Sequence, residues 1–94
     1  MAISLKTRLV RNTDVHQASI GADQFALLNL NGGEYYGVEG SAAHIWVLLE
    51  NEISVEAICD RLAAEFDLER NACEADTVAF LADLVAEKLV KIVN

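Results

Sequence analysis

The chain is predicted to be an α+β domain in which a three-stranded antiparallel meander precedes three helices, a winged helix-turn-helix-like architecture. Two observations carry this prediction. Over the first forty positions, β-branched and aromatic residues cluster in short runs divided by turn residues, whereas from Gly40 onward apolar residues recur with helical spacing. Because the 94 residues contain no proline and no low-complexity tract, a single domain spanning residues 1–94 is expected.

Three strands are expected before residue 40. They cover residues 15–20, 24–30 and 34–38. An Asn-Gly step readily adopts the positive φ angles of tight hairpins, so Asn31-Gly32 should join the second strand to the third in antiparallel pairing. Strand alternation then directs Tyr36 and Val38 toward the helices and Tyr35 and Gly37 outward.

Both ends of the chain are also strand-like. Apolar and polar residues alternate at Ile3, Leu5, Thr7 and Leu9, so residues 1–13 are expected to hold a further strand or an ordered arm. Residues 89–93 are β-prone, and they either add a short strand or simply close the core.

Ser41 and Ser54 are the expected N-caps of the first two helices. One face of the first helix carries Ala42, Ile45, Leu48 and Leu49. One apolar arc of the second carries Val55, Ile58, Cys59, Leu62 and Phe66. The third helix is expected from about residue 71 to about residue 89, after a connection at residues 67–70.

The third helix carries two apolar stripes. The stripe expected to face the core consists of Val78, Leu81, Ala82, Val85 and Leu89. A second stripe, a quarter turn or more away, consists of Cys73, Thr77, Phe80 and Leu84. This second stripe either packs on the sheet or forms one wall of a binding groove, and the pattern alone leaves both interpretations open.

The charge distribution argues against nucleic acid and anionic membranes as partners. The net charge is −8, and residues 41–94 hold four basic and eleven acidic side chains. Such a field repels phosphate groups. No apolar run reaches the length of a membrane span, and residues 1–13 lack the apolar core of a secretory signal, so a cytoplasmic location is expected.

No residue pattern of an enzyme is present. His16 and His44 show no ligand-like spacing, and Cys59 and Cys73 are too far apart for a CxxC pair or a zinc knuckle. Gly32-Gly33 belongs to neither a GxxxxGK[ST] nor a GxGxxG phosphate loop. We therefore expect no catalytic residues, no metal and no cofactor.

Two functions remain for a small sheet with three helices. A winged-helix DNA-binding regulator would insert its third helix into the major groove. That helix, however, would bring more acidic than basic side chains toward the phosphates. The acidic ones are Glu74, Asp76, Asp83 and Glu87, and the basic one is Lys88. The alternative is peptide recognition by strand addition along the unpaired edge of the third strand, opposite a wall formed by the second stripe. The same edge leaves the protein either a monomer or an edge-paired dimer.

Three stretches of the sequence resemble one known family. They are Leu27-Leu28-Asn29-Leu30, Gly33-Glu34-Tyr35-Tyr36-Gly37-Val38, and the helical run from Ser41 to Leu49 that contains Ile45-Trp46. They are similar to the PqqD-like family, the recognition elements for precursors of ribosomally synthesised and post-translationally modified peptides. The resemblance covers residues 9–93 and departs from the family's pattern at Gly37, Val38 and Glu39.

The resemblance implies a winged-helix-like adaptor that binds the leader of a precursor peptide as an added strand between the third strand and the third helix. By position, it implies contacts from Glu34, Tyr35, Tyr36, Gly37, Val38, Asp76, Thr77, Phe80 and Leu84, which Cys73 joins through the second stripe. The length and the Tyr-Tyr step look closest to the stand-alone recognition proteins of lasso-peptide pathways. Such proteins present the leader to a separate modifying enzyme or cysteine leader peptidase and perform no chemistry themselves.

Overall fold

The computed structural model describes residues 3–33 and 35–93. These residues form the following elements in chain order: β1 (Arg8–Arg11), β2 (Val15–Gly21), β3 (Gln24–Asn29), β4 (Tyr35–Glu39), α1 (Ser41–Leu48), β5 (Ile53–Ser54), α2 (Val55–Phe66), α3 (Arg70–Ala86) and β6 (Val90–Ile92). Two antiparallel three-stranded sheets result, a meander sheet in the order β2-β3-β4 and a terminal sheet in the order β5-β1-β6. The mixed α+β prediction is confirmed, with one sheet more than expected.

The meander sheet follows the predicted alternation. Leu27 lies opposite Tyr36 on the face toward the helices, and Leu28 lies opposite Tyr35 on the other face. The positive φ of the hairpin falls on Gly33, at 72°, one residue later than the Asn-Gly step suggested. Asn29 closes this turn, since its side-chain oxygen accepts a hydrogen bond of 2.8 Å from the backbone N–H of Asn31.

The terminal sheet joins the two ends of the described chain. The amino-terminal arm forms β1, which pairs with β6 from the carboxyl-terminal tail on one side and with β5 on the other. Leu9, at the centre, has no exposed surface. β5 was not predicted, because a two-residue strand has no sequence pattern of its own and forms only by pairing with the distant β1.

The first helix is rotated from its predicted face. Its N-cap is Gly40, with φ of 60° and no side-chain hydrogen bond, so the prediction of Ser41 as the cap was wrong. Trp46, which is not part of the predicted face, is fully buried. Its indole N–H donates to Gln17 at 2.7 Å, and the Arg11 guanidinium lies 4.4 Å from the centre of its ring. Gln17 accepts the hydrogen bond of the indole N–H, and Arg11 makes a cation–π contact with the ring. The first helix is therefore rotated so that Trp46 faces these two residues.

The second helix matches its prediction at the amino-terminal end. The Ser54 hydroxyl accepts a hydrogen bond of 3.1 Å from the backbone N–H of Ala57, as an N-cap should. Cys59 and its neighbours on the arc are buried. Phe66, the last member of the predicted arc, is instead 37% exposed and meets the His44 ring edge-on at 5.0 Å.

The predicted core stripe of α3 is confirmed in part, since Leu81 and Leu89 are buried. The buried residues within α3 itself are Cys73, Thr77, Leu81 and Leu84, three of which belong to the second stripe, whose role the sequence left open. Ala82 is exposed, and Val78 and Val85 are half-buried. Spacings of four, four and three residues make this buried set one helix face, which α3 turns toward α2. Both stripes were apolar enough to pack, so only the tertiary arrangement decides between them.

No helix in the described ranges combines the length and apolarity needed to span a membrane.

Candidate functional site

One edge of β4 is open. Within the described residues, β4 pairs with β3 alone and ends the order of the meander sheet. Its side chains alternate as predicted: Tyr35 is 76% exposed and Gly37 is exposed, whereas Tyr36 is half-buried and Val38 is buried. An unpaired strand edge presents a row of free backbone donors and acceptors, which favours pairing with another strand.

The third helix faces this edge across an aromatic contact. The rings of Tyr36 and Phe80 lie 6.4 Å apart between centroids, tilted by 52°. Both rings are half-buried and pack against the main core at their inner sides. Burial raises the pKa of the Tyr36 hydroxyl, and the negative charges of Asp83 and Glu87 raise it further. β4 and α3 thus form the two walls of a groove whose floor includes this aromatic pair.

A cavity of about 280 Å³ lies where the groove meets the hairpin turn. Its lining comes from the turn, from the start of β4 and from the end of α3: Asn29, Asn31, Gly32, Tyr35, Tyr36, Ala86, Glu87, Lys88 and Leu89. Asn29, at the end of β3, attaches the meander sheet to the segment after α3, because its side-chain N–H group donates to the backbone carbonyls of Glu87 and Lys88 at 3.2 and 3.1 Å.

A second cavity, of about 270 Å³, lies further along α3 toward its amino-terminal half. The three helices and the connection between α2 and α3 line it, through Ser41, Ala42, Ile45, Leu62, Leu68, Cys73, Asp76, Thr77 and Phe80. Apolar side chains dominate this lining, and Asp76 is its one carboxylate. The cavity can therefore take an apolar side chain with a cationic neighbour.

The structure brings together most of the residues predicted from sequence. Cys73, Asp76, Thr77 and Phe80 line one cavity, and the two tyrosines line the other. Val38 turns its side chain into the core, so only its backbone lies along the open edge. Glu34, predicted at the start of the strand, lies outside the described residues.

Leu84 requires a correction. It has no exposed surface and belongs to the buried core, so it supports the groove from beneath and cannot line it without a rearrangement. Thr77 and Cys73 are nearly as buried but still reach the cavity. The Thr77 hydroxyl lies 4.0 Å from the Cys73 sulfur.

Several lining residues were not predicted as functional. Asn29 had a readable signal, because it is a polar residue on the inward-facing side of β3, where Phe25 and Leu27 are apolar. Ile45 and Ala42 of α1, and Leu62 and Leu68 around the end of α2, had none. Their apolar side chains match ordinary core positions, and only the packing of the three helices exposes part of them to a cavity.

The groove offers binding groups and little reactive chemistry. Both cysteines are free and buried, and burial raises the pKa of the Cys59 thiol, which keeps it protonated. In the part of the chain that the structure describes, no group of three or more His, Cys, Asp or Glu side chains is arranged to hold a metal ion.

Fold and groove together define a small α+β domain with an open strand edge beside an apolar cavity. The family model described as Coenzyme PQQ synthesis protein D (PqqD) matches residues 24–90. The chain therefore belongs to the PqqD family. No curated protein matches it in sequence.

Two solved structures share the fold. The structure of TbiB1 in complex with the TbiA(beta) leader peptide is 33% identical in sequence, with a TM-score of 0.80 over 87% of this chain and 94% of that one. A lasso peptide synthetase B1 complexed with the leader peptide is 23% identical, with a TM-score of 0.76 over 88% of this chain and 96% of that one. The first supports kinship as well as fold, and the second supports the fold.

Proposed function

We propose that this protein is a non-catalytic adaptor that binds the leader segment of a ribosomally made precursor peptide by strand addition at β4. It presents that leader to a modifying enzyme or a leader peptidase. The observation that carries the proposal is the open edge of β4 beside the Tyr36–Phe80 contact and its two cavities. The two structurally similar proteins were both solved with leader peptides, which supports a leader as the occupant.

In this mode, the leader backbone pairs with residues 35–38, and alternate leader side chains point into the groove. Tyr35 and Gly37 contribute backbone only on this side, since their side-chain positions face outward. The inward leader side chains meet Tyr36 and Phe80 at the centre and Cys73, Asp76 and Thr77 beyond it. Main-chain pairing supplies affinity, and the cavities supply selectivity.

The charge of the α3 wall favours a basic leader segment. Asp76 lines the inner cavity, and Asp83 and Glu87 act on the Tyr36 hydroxyl, while Lys88 lies at the hairpin end. A cationic leader side chain beside the apolar anchors gains attraction from these carboxylates, and an acidic one is repelled.

The alternative of a DNA-binding regulator is disfavoured by the same helix. We take the fold to be of the winged-helix type, but Arg70, the basic residue that α3 contains, donates to Asp60 and Glu74 at 2.7 Å each. These two hydrogen bonds hold the pKa of Arg70 above its ordinary value, and they pair its guanidinium with two carboxylates. Phosphate contacts would need unengaged basic side chains along this helix.

The direct test is an NMR titration of labelled protein with the leader of the precursor peptide encoded beside its gene. Strand addition predicts the largest shifts at residues 35–38 and 73–80, with little change in the terminal sheet. A scrambled leader of the same composition is the control. Equal shifts with both peptides, or shifts confined to other surfaces, would refute the proposal.

A substitution pair separates groove binding from general damage. Phe80→Asp should weaken leader binding by about 2 kcal/mol or more, roughly thirtyfold in Kd, because a carboxylate replaces the central aromatic anchor. Phe66→Asp makes the same change at a half-exposed helical phenylalanine outside the groove and should leave Kd within about twofold of wild type.

Both variants are first checked for folding by circular dichroism, and Phe80→Ala serves as a milder groove variant if Phe80→Asp does not fold. Equal leader affinities for the Phe66 and Phe80 variants would mean that the aromatic contact is not part of the binding site.

A further inference from the structure

The first strand of the meander sheet, β2, also has an open edge. Within the described residues, β2 pairs with β3 alone, and six of its seven residues are exposed. The open edge of β4 differs, because α3 lies beside it through the Tyr36–Phe80 contact. A single extended peptide fits between β4 and α3, whereas the edge of β2 is exposed enough to receive a strand that belongs to a folded domain.

The edge of β2 lacks most of the features that prevent strands from pairing between molecules. Soluble proteins protect exposed edges with charged side chains, proline and bulges. Residues 15–21 contain no proline and no formal charge, in a chain with seven basic and fifteen acidic side chains. One bulge is present, at the register shift between Ser19 and Gly21. A regular, uncharged segment at residues 15–19 therefore remains available for pairing.

The hydrogen bonds to β3 show which backbone groups of β2 face the open edge. The N–H of Leu30 donates to the carbonyl of Asp14 at 3.0 Å, so these two residues form a hydrogen-bonded pair next to the strands. Bonded and non-bonded pairs alternate along antiparallel strands, so the following bonded pairs of β2 fall on its even-numbered residues. The residues whose N–H and C=O groups point away from β3 are Val15, Gln17 and Ser19.

We propose that two copies of this protein pair antiparallel through β2, across a twofold axis at Gln17, and form a six-stranded sheet. In this register Gln17 lies opposite its counterpart in the other copy, and Val15 lies opposite the partner's Ser19. Each of these pairs exchanges two backbone hydrogen bonds, because all three residues direct both of their backbone groups outward.

The symmetry of the edge is the reason for choosing a second copy as the occupant. The outward groups are spaced evenly on either side of Gln17, so a twofold rotation brings each N–H of one copy to a C=O of the other. His16 comes to lie opposite the partner's Ala18, so no like charges meet across the axis. The Gln17 side chain is already held within its own chain, since it accepts the hydrogen bond of the Trp46 indole.

This pairing leaves both leader grooves open. β4 is the opposite edge strand of the meander sheet, so the two β4 edges lie at the two ends of the six-stranded sheet. The stoichiometry stays at one leader per chain. The inference goes beyond the proposed function and does not depend on it, because pairing through β2 occurs without a leader.

Interface size and charge set the expected behaviour of the dimer. Pairing over residues 15–19 buries a small interface, so the dimer is weak and its population rises with protein concentration. Each copy carries a net charge of −8, so two copies repel each other at long range. Added salt screens this repulsion and should tighten the dimer, whereas salt weakens contacts between oppositely charged surfaces.

The first test is sedimentation equilibrium of the whole chain between about 10 μM and 1 mM, without leader. Ala18→Lys changes an exposed position of β2 and should raise the Kd of the dimer at least about tenfold, because two solvated lysines then flank the twofold axis. Gly37→Lys is the matched control on the edge of β4, where a side chain enters open space, and it should leave the Kd within about twofold of wild type. Circular dichroism first establishes that both variants fold.

Disulfide trapping tests the register. His16 and the partner's Ala18 form a non-hydrogen-bonded pair, whose α-carbons lie about 4.5 Å apart, within reach of a disulfide. A mixture of His16→Cys and Ala18→Cys proteins should therefore form linked dimers with oxidised glutathione as the oxidant. A mixture of His16→Cys and Ile20→Cys proteins should not, because that diagonal separation is about 7–8 Å. The native cysteines are buried and do not compete.

Three results would overturn the inference. They are a wild-type protein that stays monomeric at every concentration, an Ala18→Lys variant that dimerises like wild type, and equal trapping in the two cysteine mixtures. A dimer that Gly37→Lys weakens and Ala18→Lys does not would place the contact at β4 instead. Absence of leader binding would refute the proposed function without changing any of these results, so the two failures are distinguishable.

Discussion

The two sheets of this protein contain the same number of strands and serve different purposes. The terminal sheet is built from strands of four, two and three residues, and its central strand is paired on both sides. The meander sheet has strands of seven, six and five residues, and within the described part of the chain each of its outer strands has a long unpaired edge. Short edges resist addition of another strand, whereas long edges invite it.

The terminal sheet and the arm before it tie the helices together. The backbone N–H groups of Val55 and Glu56, at the start of α2, donate to the carbonyls of Thr7 and Leu5 at 3.0 Å. The N–H of Arg11 donates to the carbonyl of Leu49, next to the end of α1. These bonds satisfy groups that helix ends leave unpaired. One sheet therefore maintains the fold, while the other leaves an edge free for a ligand.

The largest expected effect is on the terminal sheet. Leu9→Ala removes a fully buried side chain at the centre of β1 and should lower the free energy of unfolding by about 2–5 kcal/mol, through lost burial and a residual cavity. Chemical denaturation measures this loss. The leader affinity of the folded protein should remain unchanged, and a matching fall in affinity would show that the two sheets do not divide stability and binding in this way.

An intermediate effect is expected where the meander sheet meets α3. Asn29→Ala removes the hydrogen bonds to the carbonyls of Glu87 and Lys88 and to the turn, which should cost about 1–3 kcal/mol in unfolding free energy. Unlike Leu9→Ala, it should also weaken leader binding, because the walls of the groove separate at the hairpin end.

Asn29→Asp separates the contribution of the hydrogen bond to the turn from that of the hydrogen bonds to the carbonyls of Glu87 and Lys88. The carboxylate still accepts from the Asn31 N–H but cannot donate to the carbonyls of α3. If Asn29→Asp binds leader as wild type does, the turn and not the attachment to α3 maintains the groove, and the proposed role of Asn29 is wrong.

The sequence predicted the meander sheet better than the terminal sheet, because the meander sheet depends on local signals and the terminal sheet on pairing between distant residues. The Tyr35–Val38 alternation and the Asn31-Gly32-Gly33 turn are local signals, and the observed hairpin follows them with a shift of one residue in the turn. The pairing of β1 with β5 and β6 joins residues more than forty positions apart, which no local pattern can specify.

The strand edge and the aromatic residue Phe80 of the groove were predictable from the sequence. The remaining residues that line the groove were not. β4 and Phe80 followed from alternation and from the family resemblance. The buried face of α3 did not, since Leu84 and Val85 are equally apolar and only the position of α2 selects between them. The contribution of α1 to the inner cavity depends on Trp46 rotating that helix toward Gln17, an interaction between residues 29 positions apart.

The smallest expected effect concerns the pH dependence of the groove wall. Burial and the charges of Asp83 and Glu87 raise the pKa of Tyr36 above 10.0, so the folded state keeps this proton more tightly than the unfolded chain does. Below pH 10 the phenol is neutral in both states and contributes no pH dependence. As the pH rises past 10, the unfolded chain loses the proton first, and the free energy of unfolding falls.

Because Tyr35 is the other tyrosine of the chain, Tyr35→Phe leaves Tyr36 as the sole phenol to follow by absorbance. Its midpoint should lie above 10, and adding Asp83→Asn should move it down, since one of the two negative charges is removed. Tyr36→Phe should abolish this part of the loss of stability above pH 10. A midpoint at or below that of free tyrosine would mean that water and cations reach the ring fully, so that the meander sheet and α3 do not form the closed wall on which the groove depends.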